Sequence, residues 1–488
     1  MTFAAGFAEH QNPERGIQAT ACNAAQPLWK VVAITLMAVC AISLPNLIDP
    51  FIRYDDYPAL FAEAHWFWPK TLHEGRWLSY IWHLREFVTP AWLNFAIYQT
   101  LWAVLSVALA VAAMGRRYER PWFTTVLALF MLVSLPATLI SLWFNTLIPG
   151  LAVVTLYAVL GCRVSQRTHR ALLPAFVVVS FWAYTTYPLI LLAVCLMRTE
   201  HRSLRDLFGL MTLFVFSFAA AVLLTYTLNW QVHGVFGVPL DNWRQATAAT
   251  DIKGMIANLP KLVETFKTLL MAASYNFAPA AFFHTGLLLV ATLVMIKRAP
   301  REALYLHAGL WAGMALIVLQ VLKLGVLVPP RTFIFAWVLY AVIVVRATAL
   351  LSQTPGLGGR VMRNLTLLVV LCYLLQTFNQ YTVYRPWQAE TRTLGDTLRT
   401  ADPAASRPVM VYGDVMTLDS AMAADIFDDM ALTFRMQQLT GHKFLLCHSA
   451  PEACTELESS RLAAGLPEAI KVKVETSGDE VRMSGLLE

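Results

Sequence analysis

Eleven apolar runs set the outer limits on what this chain can fold into. They fall at 29–48, 91–114, 122–140, 143–161, 171–183, 187–197, 207–229, 280–296, 303–322, 333–351 and 364–379. A helix of about 20 apolar residues crosses a hydrocarbon core of about 30 Å. Of 488 residues, 57% are hydrophobic and only 14% are charged. A soluble domain carries about a quarter charged residues. It also cannot hide this much apolar surface, because much of its exterior faces water. The fold class predicted is a polytopic α-helical membrane protein of about eleven transmembrane helices, with a small α/β domain at the C-terminal end.

The direction of the spans follows from the basic residues. Lys and Arg near span ends stay in the cytoplasm. Five clusters of three stand out: Arg116, Arg117 and Arg120; Arg163, Arg167 and Arg170; Arg198, Arg202 and Arg205; Lys297, Arg298 and Arg301; Arg346, Arg360 and Arg363. Each follows an even-numbered run, provided that 171–183 and 187–197 form two helices joined at Tyr184-Thr185-Thr186-Tyr187-Pro188. One long tilted helix there is the alternative, and it reverses everything downstream. The hairpin reading gives a cytoplasmic N-terminus and a periplasmic C-terminus in a bacterial inner membrane. Residues 1–28 are mixed and polar, with Glu9, Glu14 and Arg15, unlike a cleavable signal. They read as a cytoplasmic segment ahead of a transmembrane domain over 29–379.

Three stretches are then long and external: 49–90, 230–279 and 380–488. The last has the composition of a soluble domain. Gln388–Thr400 reads as a helix, Pro408–Tyr412 as a buried strand and Ala421–Gln438 as a helix. His442–Cys447 reads as a strand and Val472–Gly485 as a closing strand or hairpin. Cys22, Cys40, Cys162, Cys195 and Cys372 read as small apolar side chains. Cys447 and Cys454 suit a disulfide in an oxidising compartment. A zinc site with His448 is the alternative, but no fourth ligand has suitable spacing.

Chemistry concentrates in the first external loop. Asp55 and Asp56 are adjacent, crowded by Tyr54, Tyr57, Trp66, Phe67, Trp68 and Trp77, with Arg53 and Arg76 near in sequence. Aromatics with a polar handle favour the membrane interface. Paired carboxylates serve as a general base or as ligands for a divalent cation such as Mg or Mn. Their mutual repulsion raises one pKa. The same pair also suits a helix N-cap. A second group, Lys323 to Thr332 with Pro329-Pro330-Arg331, puts two cations on the same side, where the other short loops carry none. Arg grips phosphate oxygens with its planar fork; snorkelling to headgroups is the alternative. Tyr184 and Tyr187 lie at a third external turn, where an aromatic belt is the plain reading. Asn145, Asn276 and Gln320 are polar groups near span ends that suit a cavity wall. There is no P-loop, no Gly-x-Ser-x-Gly elbow and no His-Glu-x-x-His. The spans carry almost no Asp or Glu, which weighs against proton-coupled transport.

An acidic pair in the first external loop of a many-span protein with a soluble tail resembles the GT-C superfamily of glycosyltransferases. Asp55-Asp56 followed by Gly75-Arg76-Trp77 is similar to the GtrII-type glucosyltransferases of bacterial O-antigen modification. The resemblance covers roughly residues 30–400 and extends to the Tyr184 turn and the Pro330-Arg331 segment. The family's glutamine in that turn is replaced here by Thr185-Thr186-Tyr187. The resemblance implies an inverting transfer of a sugar, glucose in that family, from a polyprenyl-phosphate donor to a lipopolysaccharide O-antigen or other periplasmic polysaccharide or glycolipid. Asp55 or Asp56 would be the base. Arg76, Lys323, Arg331 and Arg53 would meet the donor phosphate, and Tyr184, Tyr187, Trp77 and Tyr57 would line the substrate groove. A divalent cation would sit on Asp55 and Asp56, and the basic residues could also serve the phosphate without one. The implied partners are the lipid-linked sugar, the acceptor, membrane lipid and a separate donor synthase and flippase, with no nucleic acid. The rival functions are an O-antigen polymerase and a non-catalytic transporter of lipid-linked sugar.

Overall fold

The computed structural model describes residues 13–85, 87–115, 121–426, 428–477 and 480–487, with side chains described from Leu28 to Glu475 and at Met483. The Arg116–Arg120 cluster and residues 1–12 lie outside the described residues.

The chain opens with helix α1 (Pro13–Leu47), and the first long loop carries a 3-10 turn (Tyr54–Leu60), α2 (Trp68–Glu74) and α3 (Trp77–His83). Next come α4 (Ala91–Met114), α5 (Pro121–Leu132), α6 (Leu135–Ile140), α7 (Phe144–Gly161), α8 (Gln166–Phe181), α9 (Tyr187–Arg198) and α10 (Leu204–His233). The second long loop folds α11 (Ile252–Ala257) and α12 (Leu259–Ala273). After them run α13 (Ala278–Arg298), α14 (Pro300–Leu324), a 3-10 turn (Pro330–Phe333), α15 (Ile334–Leu351), α16 (Leu357–Thr382) and α17 (Arg385–Ala401).

Among the described residues, eight helical stretches are long and apolar enough to cross a membrane, and they mark a helical membrane protein. This is fewer than the eleven runs, for local reasons. Run 122–140 breaks at Ser134, whose Oγ accepts the Ala137 N–H at 3.3 Å and caps α6, with Pro136 in its first turn. A 12-residue α5 is left before the break, and Leu135–Gly161 forms one stretch after it. The runs at 171–183 and 187–197 are two short helices, α8 and α9, joined by a turn at Trp182–Thr186. Pro188 sits in the first turn of α9, where its missing N–H leaves no helical acceptor unmet. Helix α15 is apolar all round and buried, so it forms the middle of the bundle. Helix α13 leaves Phe282, Leu289 and Leu293 exposed on its outer face.

The helices alternate in direction, and their ends sort by charge. At one end the first loop meets the start of α7, the turn before α9, the start of α15 and the end of α10. At the other end lie the four basic clusters within the described residues. There Arg170 pairs with Asp206 at 2.5 Å, and Arg346 reaches Glu302 with Nε at 2.5 Å and Nη2 at 2.7 Å. The Tyr305 hydroxyl donates to Asp206 at 2.8 Å and ties α14 to α10.

Helix α16 passes almost directly into α17, which buries Trp387, Thr391, Leu394, Gly395 and Leu398 along one face. The terminal domain continues with β1 (Val409–Tyr412), α18 (Asp419–Ala423), α19 (Met430–Thr440), β2 (Phe444–Leu446), α20 (Pro451–Ala463), β3 (Ile470–Ser477) and β4 (Glu480–Leu487). The sheet order is β2-β1-β3-β4; β1 is parallel to β2 and β3, and β4 closes a hairpin on β3. Two elements differ from expectation. The helix read at Ala421–Gln438 is split, because Asp425 is left-handed (φ 53°) and the Asp428 carboxylate accepts the Met430 N–H at 2.9 Å in place of a helical partner. Helix α20 had no counterpart in the reading, although Pro451 and Glu452 in its first turn are start signals. Cys447 and Cys454 form a disulfide with Cα atoms 5.6 Å apart, which takes both sulfurs from any zinc site.

Candidate active site

Residues after α1 turn back over the bundle end. The Asn46 side chain accepts the Phe51 N–H at 2.7 Å, and the Arg53 N–H reaches the Leu142 carbonyl at 3.2 Å. The 3-10 turn Tyr54–Leu60, with Pro58 inside it, follows at once and places the acidic pair against the start of α7. Adjacent side chains on such a turn point in different directions, and the two carboxylates meet different surroundings.

Asp56 is fully buried and serves as the cap of α7. Its oxygens accept the Asn145 N–H at 2.9 Å, the Thr146 N–H at 2.8 Å and the Thr146 hydroxyl. These are amides of the first turn of a helix that has no side-chain cap of its own. A negative charge there also faces the positive end of the helix dipole. Burial pushes the Asp56 pKa up to about 6 against the pull of the Thr146 hydroxyl; the Asp55 charge adds to the rise, and the two amides oppose it. The His83 Nε2 lies 3.2 Å from the Thr146 hydroxyl, which extends the network. Burial, with Arg85 and Lys70, pushes His83 down to about 3.

Asp55 faces the other way, and its side chain is 31% exposed. Lys70 Nζ lies 2.8 Å from Oδ2, and the Trp143 indole N–H donates to Oδ1. Burial would raise the Asp55 pKa; the Lys70 charge and hydrogen bond, the indole N–H and the Arg76 charge outweigh it and hold the carboxyl below its ordinary value. Asp55 is therefore ionised at neutral pH.

Arg76 is positioned by Gly75. That glycine ends α2 in the left-handed region (φ 68°), and a Cβ on it would lie 2.9 Å from Thr225 on α10. Arg76 Nε pairs with Glu74 at 2.6 Å, and its guanidinium lies 5.5 Å from the Tyr184 ring centre. Arg244 from the second long loop also reaches Glu74, at 3.4 Å. Burial opposes ionisation of Glu74, but the Arg76, Lys70 and Arg244 charges hold its pKa down.

Arg331 lies on the 3-10 turn before α15, with its guanidinium 4.4 Å from the Trp143 ring centre. It is half-buried and makes no hydrogen bond or ion pair among the described residues. One indole thus touches both Asp55 and Arg331, which are far apart in sequence. Arg53 lies 5.9 Å from the same ring, and its Nη1 donates to the Asp425 carbonyl at 2.6 Å.

The other expected site residues are placed elsewhere. Lys323 donates to the Ala249 carbonyl at 2.6 Å and braces the second long loop; no contact among the described residues links it to Asp55. Trp77 is buried and donates to Asn229 at 2.9 Å on α10. Tyr57 is buried under the terminal domain, 6.3 Å from the Phe434 ring. Tyr187 is buried beside Tyr184, with ring centres 5.4 Å apart. Asn145 accepts from Asn94 at 2.7 Å, which ties α4 to the start of α7.

The terminal domain closes over this end. Asp49, just beyond α1, receives Arg435 through two bonds of 2.6 and 2.5 Å and Arg392 at 2.7 Å. Phe51 stacks on Tyr384 at 4.1 Å. Burial pushes the Asp428 pKa up, and the charges of Asp429 and Asp55 add to the rise, so Asp428 stands near the acid site. Sequence reasoning missed Trp143, Asp428 and the Asp49–Arg435 clamp. None carries a local pattern, since each partner lies at least about ninety residues away along the chain.

The acid pair does not fit a divalent cation. The Asp56 oxygens are taken by three donors, and the ammonium of Lys70 stands on Asp55 where a cation would bind. Among the described residues no group of three His, Cys, Asp or Glu converges. No known family model matches this chain, and no curated protein matches it. The acid pair and its cations are therefore read from their own geometry.

Proposed function

We propose that this chain is a multi-pass glycosyltransferase of the bacterial inner membrane, inverting, with Asp55 as base and the donor phosphate held near Arg331 and Arg76. The observation that carries this reading is the Trp143 indole, which bonds Asp55 at its edge and carries Arg331 on its face. An ionised, part-exposed carboxylate and a guanidinium with no anionic partner among the described residues thus flank one indole. That is the pairing a transfer from a phosphate leaving group requires.

In this reading a polyprenyl-phosphate sugar enters from the lipid. An acceptor hydroxyl attacks the anomeric carbon and gives its proton to Asp55. The bond from that carbon to the phosphate oxygen breaks, and polyprenyl phosphate leaves with the electron pair. Arg331 and Arg76 meet its charge, and such fixed electrostatic stabilisation is usually the largest catalytic contribution. Asp56 is a positioning residue here. Its lone pairs are spent on α7, and α7 sets the place of Trp143. The gathering of the basic clusters at the opposite end supports a cytoplasmic face there and an acid site on the periplasmic side.

The test uses purified protein in detergent with a polyprenyl-phosphate hexose and a polysaccharide acceptor. Sugar should transfer without any ion gradient, and Asp55→Asn should abolish transfer while the protein still inserts and accumulates. Full transfer by Asp55→Asn overturns the base assignment. Lengthening of the polysaccharide by whole repeat units points to a polymerase instead.

A further inference from the structure

The end of the bundle remote from Asp55 holds a cavity of about 450 Å³ between the last turns of α4, α7 and α9. Four guanidiniums line it: Arg163, Arg198, Arg202 and Arg346. Among the described residues the one lining carboxylate is the exposed Glu200, and Glu302 lies just behind, in an adjoining cavity of about 640 Å³ that shares Glu200 and Arg202. Among the described residues, four cations here stand against two carboxylates.

The pairing within the cluster is uneven. Both oxygens of Glu302 accept from the Arg346 guanidinium, at 2.5 and 2.7 Å, and Arg202 reaches Glu302 only at 3.5 Å. Arg198 donates to the Val164 carbonyl and Arg202 to the Met197 carbonyl, bonds that hold both side chains in place. Arg202 Nε is buried and has no hydrogen-bond partner among the described residues. Burial pulls the Arg202 pKa down; Glu302 opposes this, and the Arg346 charge adds to it.

Capping of helix C-termini accounts for part of this arrangement, since cations favour such ends. Capping needs one donor per carbonyl at the surface. It does not need an open cavity of this size or a buried N–H left without a partner. Guanidinium forks match the oxygens of a phosphate. Basic pockets between helices at a membrane face take anionic headgroups.

We infer that this cavity is a binding site for a phosphate group, carried by an anionic lipid headgroup of the facing leaflet or by a soluble phosphate compound. The site is separate from the acid pair, and its occupation does not depend on sugar transfer. It joins α4, α7, α9 and α15 at their ends, so a bound anion braces the middle of the bundle.

The experiment reads thermal stability of the intact purified protein in a neutral detergent. Three additions are compared: phosphatidylglycerol, phosphatidylcholine and inorganic diphosphate. Phosphatidylglycerol or diphosphate should raise Tm by about 3 °C near saturation, and phosphatidylcholine should not. A response to phosphatidylglycerol alone assigns the lipid, and a response to diphosphate alone assigns the soluble source. Arg163→Gln, at an exposed position, and Arg202→Gln should each weaken the response about tenfold, while Arg360→Gln with Arg363→Gln should leave it unchanged. Where Arg202→Gln fails to fold, Arg163→Gln decides. The proposal is overturned if neither anion raises Tm, or if Arg163→Gln responds as the unmodified protein does.

Discussion

The two ends of the helical bundle treat charge in opposite ways. At the basic end, arginines beside the ends of α7, α9 and α15 line one cavity, and short links between helix ends bring them there. At the acid end, Asp55 and Asp56 are served by α2, α7, the turn before α15 and the terminal domain, elements spread over most of the chain. The basic end repeats one residue type. The acid end gives two neighbouring residues of one type different work: Asp56 is locked into α7, and Asp55 is left part-exposed beside cations. On the proposed function this difference separates the end where sugar is transferred from the end that faces the cytoplasm.

The comparison breaks most sharply at Asp55. Asp55→Asn should lower sugar transfer about a thousandfold, within the range for loss of a general base, while the protein still folds with a Tm lowered only by the lost Lys70 pairing. Rates in the purified system and melting curves of the same samples check this. If Asp56→Asn silenced transfer and Asp55→Asn did not, the roles drawn for the pair would be reversed.

The next effect is on assembly. Arg435 is almost fully buried, and Asp49 is its counter-ion. Arg435→Ala leaves a carboxylate under the terminal domain with only Arg392 to meet it. The expected cost is about 3 kcal/mol, the lower range for breaking a buried pair. Limited proteolysis should then cut within or before α17 far faster than in the unmodified protein. Unchanged cleavage would mean that Phe51 on Tyr384 and the Gln388 bonds hold the domain without the clamp.

Much of the bundle was legible from the sequence. Apolar runs report lipid-length helices directly, and nearly every run coincides with a helix of the structure. The Tyr184 turn was legible because Pro188 and the basic clusters both call for a break. The acid pair and Gly75-Arg76-Trp77 stood out by residue type. What stayed hidden is tertiary. Ser134 and Pro136 break a span that hydropathy alone leaves whole. Trp143 looked like one aromatic among many, since nothing local says that its N–H meets a carboxylate 88 positions earlier. The Asp56 cap was weighed as a type of role, yet the helix it caps lies beyond the reach of any capping pattern, which spans only a few residues.

A third expectation follows from that cap. Asp56→Ala removes the acceptor for two amides and a hydroxyl in a buried place. The loss should be about 2 kcal/mol, and Asp56→Asn should recover part of it with its one carbonyl oxygen. Transfer activity should fall in Asp56→Ala through a displaced Trp143, with partial recovery in Asp56→Asn.

The smallest effect is the one with the clearest sign. The Asp56 pKa stands at about 6 in the fold, above the ordinary carboxylate value near 3.8. A group raised in this way stabilises the fold below its unfolded pKa, and that contribution is lost as pH climbs through about 6. His83 runs the other way: held neutral down to about pH 3, it makes the fold gain stability as pH rises through the unfolded histidine range. The raw stability curve of the protein mixes the two. The difference between the unmodified protein and Asp56→Asn does not, because His83 titrates in both. From pH 5 to pH 7 that difference should move against the unmodified protein by about 1 kcal/mol. Asp55 and Glu74, both held below their ordinary values, are already ionised across this window and leave it flat. A flat difference would mean that the α7 amides hold Asp56 ionised at no cost, and the two carboxylates would then differ in position alone.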